Sequence, residues 1–131
     1  MSSGMAPFPN GDVMTRPLFY DRDGQPIEDT LEWARKFEDR AYQRVARTVL
    51  GDGRVVSTVW LGVDQSFGQA SEPLIFETMA FPSEESLETL LCFRWPTLGA
   101  AIAGHDQVVA GLRDEWNVEQ IAEAMAHPRD V

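Results

Sequence analysis

Residues 56–81, VSTVWLGVDQSFGQASEPLIFETMAF, decide the fold of this chain. The runs Val56–Val63 and Leu74–Phe81 are dense in β-branched and aromatic residues, the composition of half-buried strands. Between them lies an acidic loop of small residues with no Lys or Arg. On a small domain such a loop is the natural seat of recognition, because the strands hold it rigidly in water.

Upstream, the spacing predicts a hairpin of Arg44–Leu50, the turn Gly51-Asp52-Gly53, and Arg54–Val63. Glycines at both ends of a three-residue loop supply the positive φ values it requires. If Leu50 faces Arg54, then Thr48 faces Val56, Ala46 faces Thr58 and Arg44 faces Trp60. The opposite pleat face carries Val45, Val49, Val55, Val59, Leu61 and Val63, and its aliphatic character marks it as the core side. Trp60 then belongs to the more polar side, within reach of a cation–π contact with Arg44.

Downstream, Leu74–Phe81 ends at Pro82, the acidic segment Ser83–Glu88 suggests a helical turn, and Leu90–Trp95 forms the next strand. Pro96 and Thr97 open a helix whose apolar stripe is Leu98, Ala101, Ile102, Val108, Val109 and Leu112. Asn117–Met125 forms a short terminal helix. Before the hairpin, Leu18–Tyr20 reads as a short strand and residues 29–42 as a helix capped by Asp29 or Thr30. Its stripe is Leu31, Ala34, Phe37 and Ala41. Asp21–Pro26 reads as a plain turn; an EF-hand calcium loop would need Gly at its sixth position, whereas Gly24 is fourth. The expected architecture is α+β: an antiparallel meander of about four to five strands packed with two main helices. Residues 1–16 read as a flexible lead, 17–126 as one domain and 127–131 as a frayed end.

At 131 residues, with 44% hydrophobic and 24% charged content, the chain suits one domain with its own core. Its net charge of −10 is uneven. Residues 1–54 hold nine acids and eight bases; residues 55–131 hold twelve acids against Arg94, Arg113 and Arg129. Such a surface repels phosphates, which argues against nucleic acid and for a basic protein partner or simple solubility. The lone Cys92 excludes an internal disulfide and a cysteine zinc cage. No signal peptide or membrane-length apolar run is visible, and a reducing cytoplasm is the expected location.

Catalytic motifs are missing: no G-x-S-x-G elbow and no glycine-rich phosphate cradle. His105 lies beside the apolar helix stripe, where a neutral imidazole can pack as core if a nitrogen finds an acceptor. As a general base or metal ligand it would need Asp64 and Glu77 nearby. A Cys92–His105 dyad is a weaker alternative, since strand cysteines are usually inert. Glu77 is mid-strand, with Arg94 as its natural cross-strand partner. A functional version gathers Arg44, Thr58, Trp60, Glu77 and Arg94 on one sheet face around an anchoring Trp. In the loop, Asp64-Gln65-Ser66-Phe67-Gly68 reads as a contact loop or as a mobile connection that Phe67 tacks down.

The segments Pro17-Leu18-Phe19-Tyr20-Asp21 with Asp23-Gly24, Trp33 through Phe37-Glu38-Asp39, and Val56-Ser57-Thr58-Val59-Trp60-Leu61-Gly62 carry a resemblance, together with Asp64, Phe67-Gly68, Pro73-Leu74-Ile75-Phe76-Glu77-Thr78-Met79 and Ala103-Gly104-His105. They resemble a family of small uncharacterised proteins encoded by actinobacterial and other bacterial genomes and their phages. The similarity covers about residues 17–110 and departs at Cys92–Thr97, where that family has a more polar run. It implies the fold and a bacterial or phage origin, and it assigns no catalytic role.

These features together suggest a non-enzymatic accessory protein of a bacterium or phage. It would bind a host or phage protein, through an acidic face and the 64–73 loop with Trp60 and Glu77. Self-association through an edge strand is a further expectation. The alternatives are a small-molecule binder or small enzyme using His105 with Asp64 and Glu77, and a virion structural component. No cofactor or metal is expected.

Overall fold

The Gly51–Gly53 turn closes the hairpin as expected, with Leu50 N–H donating to Arg54 O at 2.7 Å and Gly53 in the left-handed region at φ 96°. The computed structural model describes residues 16–126; of the expected flexible lead over 1–16, residues 1–15 lie outside the described residues, as does the expected fraying over 127–131, while Arg16 is held by Asp64 and Ala70 rather than loose. The hairpin strands are β1 (Arg44–Val49) and β2 (Val55–Trp60), followed by β3 (Phe76–Phe81) and β4 (Leu91–Trp95). They form one antiparallel sheet in the order β1-β2-β3-β4. Helices α1 (Thr30–Glu38) and α2 (Arg40–Gln43) precede the sheet; α3 (Leu98–Arg113) and α4 (Val118–Ala126) follow it. The protein is an α+β fold built on a four-strand meander.

Several expected elements differ in detail. The 29–42 helix breaks at Asp39, whose extended backbone ends α1 and whose carboxylate caps α2 through Ala41 N–H and Tyr42 N–H. An Asp inside a helix competes for backbone donors, and here it wins. The expected α1 stripe is also displaced. Leu31 is 64% exposed, while Trp33 packs between Phe19 and Phe37 and donates from Nε1 to Leu61 O. Leu18–Tyr20 makes only isolated bridges, and of the helical turn expected over Ser83–Glu88 only a single turn forms, with Ser86 N–H donating to Ser83 O at 3.3 Å. Asp21 spends a carboxylate oxygen on Asp23 N–H and Gln25 N–H, the local turn expected there.

The sheet has one covered and one open face, and the covered one is the face expected to be more polar. Directly opposed residues share a face. On the covered side the rows are Trp60–Phe76–Trp95, Ala46–Thr58–Thr78–Phe93 and Thr48–Val56–Ala80–Leu91. Trp60, Phe76, Val56, Thr58 and Thr78 are wholly buried there, packed with Ala101, Val108 and Leu112 of α3. Gly104 lets α3 approach, since a Cβ at that position would overlap the Trp95 ring. The open rows are Arg44–Val59–Glu77–Arg94, Arg47–Ser57–Met79–Cys92 and Val49–Val55–Phe81. Val49 is 44% exposed and Val59 half-buried, which reverses the expected placement of the aliphatic face for these two, whereas Val55 is buried and Val45 packs against the core around Trp60.

Two physical reasons account for the reversal. Thr has the shape of Val, and a buried hydroxyl costs little once it is hydrogen-bonded. A register shift between Arg44 and Ala46 also inserts an extra residue, so that Arg44 opposes Val59 rather than Trp60. The expected Arg44–Trp60 contact is thereby lost. Tyr42 meets the Trp60 ring edge-on at 4.9 Å instead, and Trp60 Nε1–H donates to Tyr20 O at 3.0 Å.

Candidate functional site

The site residues expected from sequence fall into three separate places. The first is the covered core, which holds His105. Its Nδ1 lies 2.8 Å from Thr58 Oγ1 and its Nε2 lies 2.9 Å from Thr48 Oγ1. Thr58 Oγ1 meets Thr78 Oγ1 at 2.6 Å, and Trp95 Nε1–H donates to Thr78 at 2.9 Å. One direction of donation runs the length of this chain, Trp95 to Thr78, Thr78 to Thr58, Thr58 to His105 Nδ1 and His105 Nε2–H to Thr48, leaving only the hydroxyl hydrogen of half-buried Thr48 without a protein acceptor among the described residues. This direction requires a neutral imidazole. Burial pushes the His105 pKa down, against the weaker opposing pull of Asp106. His105 is a satisfied core residue in this arrangement.

The second place is the open sheet face, where Arg44, Glu77 and Arg94 share one row with Val59. Glu77 pairs with Arg94 at 3.1 Å, the expected cross-strand pair. Thr58 and Trp60 project from the other face, so the five-residue cluster around an exposed Trp does not form. Cys92 is exposed beside Glu77; partial burial and then the Glu77 charge raise its thiol pKa. It lies across the sheet from His105, which rules out their pairing as a dyad.

The third place is the loop, and here the geometry is specific. Asp64 is 1% exposed and accepts five hydrogen bonds. Its Oδ1 receives Ser66 N–H, Ser66 Oγ–H and Leu74 N–H at 2.9, 2.6 and 3.1 Å. Its Oδ2 receives Arg16 Nη2 at 2.7 Å and Gly68 N–H at 3.0 Å. Arg16 also donates to Ala70 O at 2.8 Å, joining both ends of the loop. Burial alone would raise the Asp64 pKa, but the bonds from Ser66, Arg16 and Leu74 outweigh it and hold it well below the usual carboxylate range.

Phe67 sits at the tip of this locked loop, 66% exposed, with φ 51°. The left-handed region costs a bulky residue about 1 kcal/mol or more. Glycine would relieve that strain, as it does at the next position, Gly68 (φ 87°). Glu115, the other non-glycine residue in this region among those described, closes a helix: Glu115 N–H donates to Leu112 O and Trp116 N–H to Gly111 O. Phe67 likewise closes a turn, donating its N–H to Asp64 O at 3.0 Å while Gln69 N–H donates to Ser66 O at 3.0 Å, but these are backbone bonds that a glycine or asparagine would make without the exposed ring. The ring expected to tack the loop down instead points into water.

His105, Asp64 and Glu77 therefore do not converge. Each is held by different partners, and no group of three His, Cys, Asp or Glu suited to a metal occurs among the described residues. A cleft of about 480 Å³ between the hairpin tip and the end of α3 contains Arg54 already bound to Asp52 and Leu112 O. No helix among the described residues is long and apolar enough to cross a membrane. No family model, curated protein or solved structure matches this chain.

Proposed function

We propose that this chain is a non-enzymatic accessory protein of a bacterium or its phage that works by binding another protein. Its contact surface is the 64–73 loop, with Phe67 as the anchoring side chain. The observation that carries this reading is a strained, 66% exposed aromatic ring on a loop fixed by a buried carboxylate. Strain of this kind persists where the surroundings over-determine it, and it concentrates at sites of recognition. A loop already ordered by Asp64 and Arg16 loses little entropy on docking, and exposed aromatics are the usual anchors of interfaces. The partner is expected to offer an apolar pocket with a basic rim, matching exposed Glu72 and the chain's net charge of −10.

Substituting a photo-crosslinking phenylalanine analogue at position 67 tests this in host lysate. One protein should be captured, and unlabelled wild-type chain should compete it away. Phe67→Ala should weaken its binding by about 2 kcal/mol, roughly thirtyfold. Equal binding by wild type and Phe67→Ala, with an unchanged fold, sinks the proposal.

A further inference from the structure

We infer that the open sheet face carries a second binding site, a groove beside Arg44 that receives the carboxylates of an acidic segment of a partner protein. The site stands apart from the Phe67 loop. Its walls are Arg40 and Gln43 of α2, Arg44 and Arg47 of β1, and Ser57 and Val59 of β2, enclosing about 240 Å³. The bulge between Arg44 and Ala46 builds it, because an unbroken register would set Arg44 opposite Trp60 on the covered face.

Charge identifies the occupant. Arg40, Arg44, Arg47 and Arg94 gather on or beside this face, against Glu77 and Glu84. Arg47 is paired with Glu84 and Arg94 with Glu77, whereas Arg40 and Arg44 have no ion-pair partner among the described residues. Bringing cations together without counter-charge is unfavourable, and incoming carboxylates relieve it. A guanidinium fork fits a carboxylate in two-point geometry, and Ser57 and Gln43 add neutral donors.

Shape and field narrow the class further. The groove is smaller than the roughly 300 Å³ at which small-molecule pockets begin, Val59 lines it, and Met79 and half-exposed Val49 share its face of the sheet. That surface suits a segment in which acidic and aliphatic side chains alternate. A long polyphosphate would feel the whole chain's charge of −10, whereas a short peptide feels mainly the arginines within about one Debye length, roughly 8 Å.

Amide chemical-shift titration of the whole chain tests the site. The probes are a blocked peptide alternating Glu with Leu, its Gln counterpart, and an oligothymidylate of similar length. The Glu peptide should give saturable shifts at Arg44, Arg47, Ser57 and Val59 that weaken with salt. The Gln peptide should not, and Arg44→Gln should weaken binding about tenfold while leaving Thr58 and Val108 signals in place. Absence of shifts overturns the inference, as does equal response to the Gln peptide. Preferential binding of the oligothymidylate, or protein-concentration-dependent shifts of the same residues without peptide, also overturns it in favour of nucleic acid or a second copy.

Discussion

The two faces of the sheet divide their residues against simple expectation. The covered face holds Thr48, Thr58 and Thr78 with His105, while the open face holds Val49, Val55, Val59, Met79 and Phe81 among arginines and glutamates. What makes a face buriable here is mutual satisfaction of its polar groups and a fit to α3. The Trp60–Phe76–Trp95 row supplies large apolar area, and the threonine–histidine chain ties up the buried donors of Trp95, Thr78, Thr58 and His105 beside it. Val49 and Val59 on the open face are good strand formers, and leaving them partly in water costs little, while Val55 beside them is buried.

Truncating one neighbouring residue on each face separates their contributions to stability most strongly. Trp60→Ala should destabilise by about 3–5 kcal/mol in urea unfolding, and Val59→Ala by under about 1.5 kcal/mol. Equal losses would mean that the open face is covered too. Next in size is Asp64→Ala, which strands Arg16 and four loop donors. A loss of about 2–3 kcal/mol is expected, reduced because Arg16 keeps access to water. Because Asp64 is held below its ordinary 3.8, its contribution is full above that pH and is lost as pH falls beneath it. Acid titration of Asp64→Ala should lack that component.

Thr58→Val removes the link between His105 and Thr78, at a cost of about 1–3 kcal/mol. Unchanged stability would show that the network contributes nothing. His105 adds a smaller, pH-dependent effect. Its folded pKa is lowered from 6.5, so the unfolded chain takes up the proton first. Stability should be full above that value and decline as pH falls below it, with a slope of at most about 1.4 kcal/mol per pH unit. His105→Gln should flatten the decline; an unchanged slope would place the titrating group elsewhere.

Much of this architecture was legible in the residues. The Gly-Asp-Gly turn, the run ended by Pro82, the Glu77–Arg94 pair and most of the α3 stripe each express local chemistry that tertiary context left alone, whereas Ile102, read as part of that stripe, is 47% exposed. The bulge at Arg44–Ala46 has no such signature: no Gly or Pro marks it, and it reverses Arg44. Counting aliphatics misassigned the faces because Thr and Val differ in sequence character more than in packing shape. The loop stood out by composition, but the direction of Phe67 did not. An available signal was Asp64-x-Ser66 followed by a bulky residue before Gly68: a side-chain-capped turn with a ring where glycine would be easier.

The fold holds Phe67 two-thirds exposed and in the left-handed region, against its own conformational preference. Urea unfolding of Phe67→Asn tests it without any partner, since Asn accepts the left-handed region more readily than Phe. The variant should equal wild type or exceed it by up to about 1 kcal/mol. A loss of about 1 kcal/mol or more would show that the ring supports the fold, contradicting its assignment as a recognition anchor.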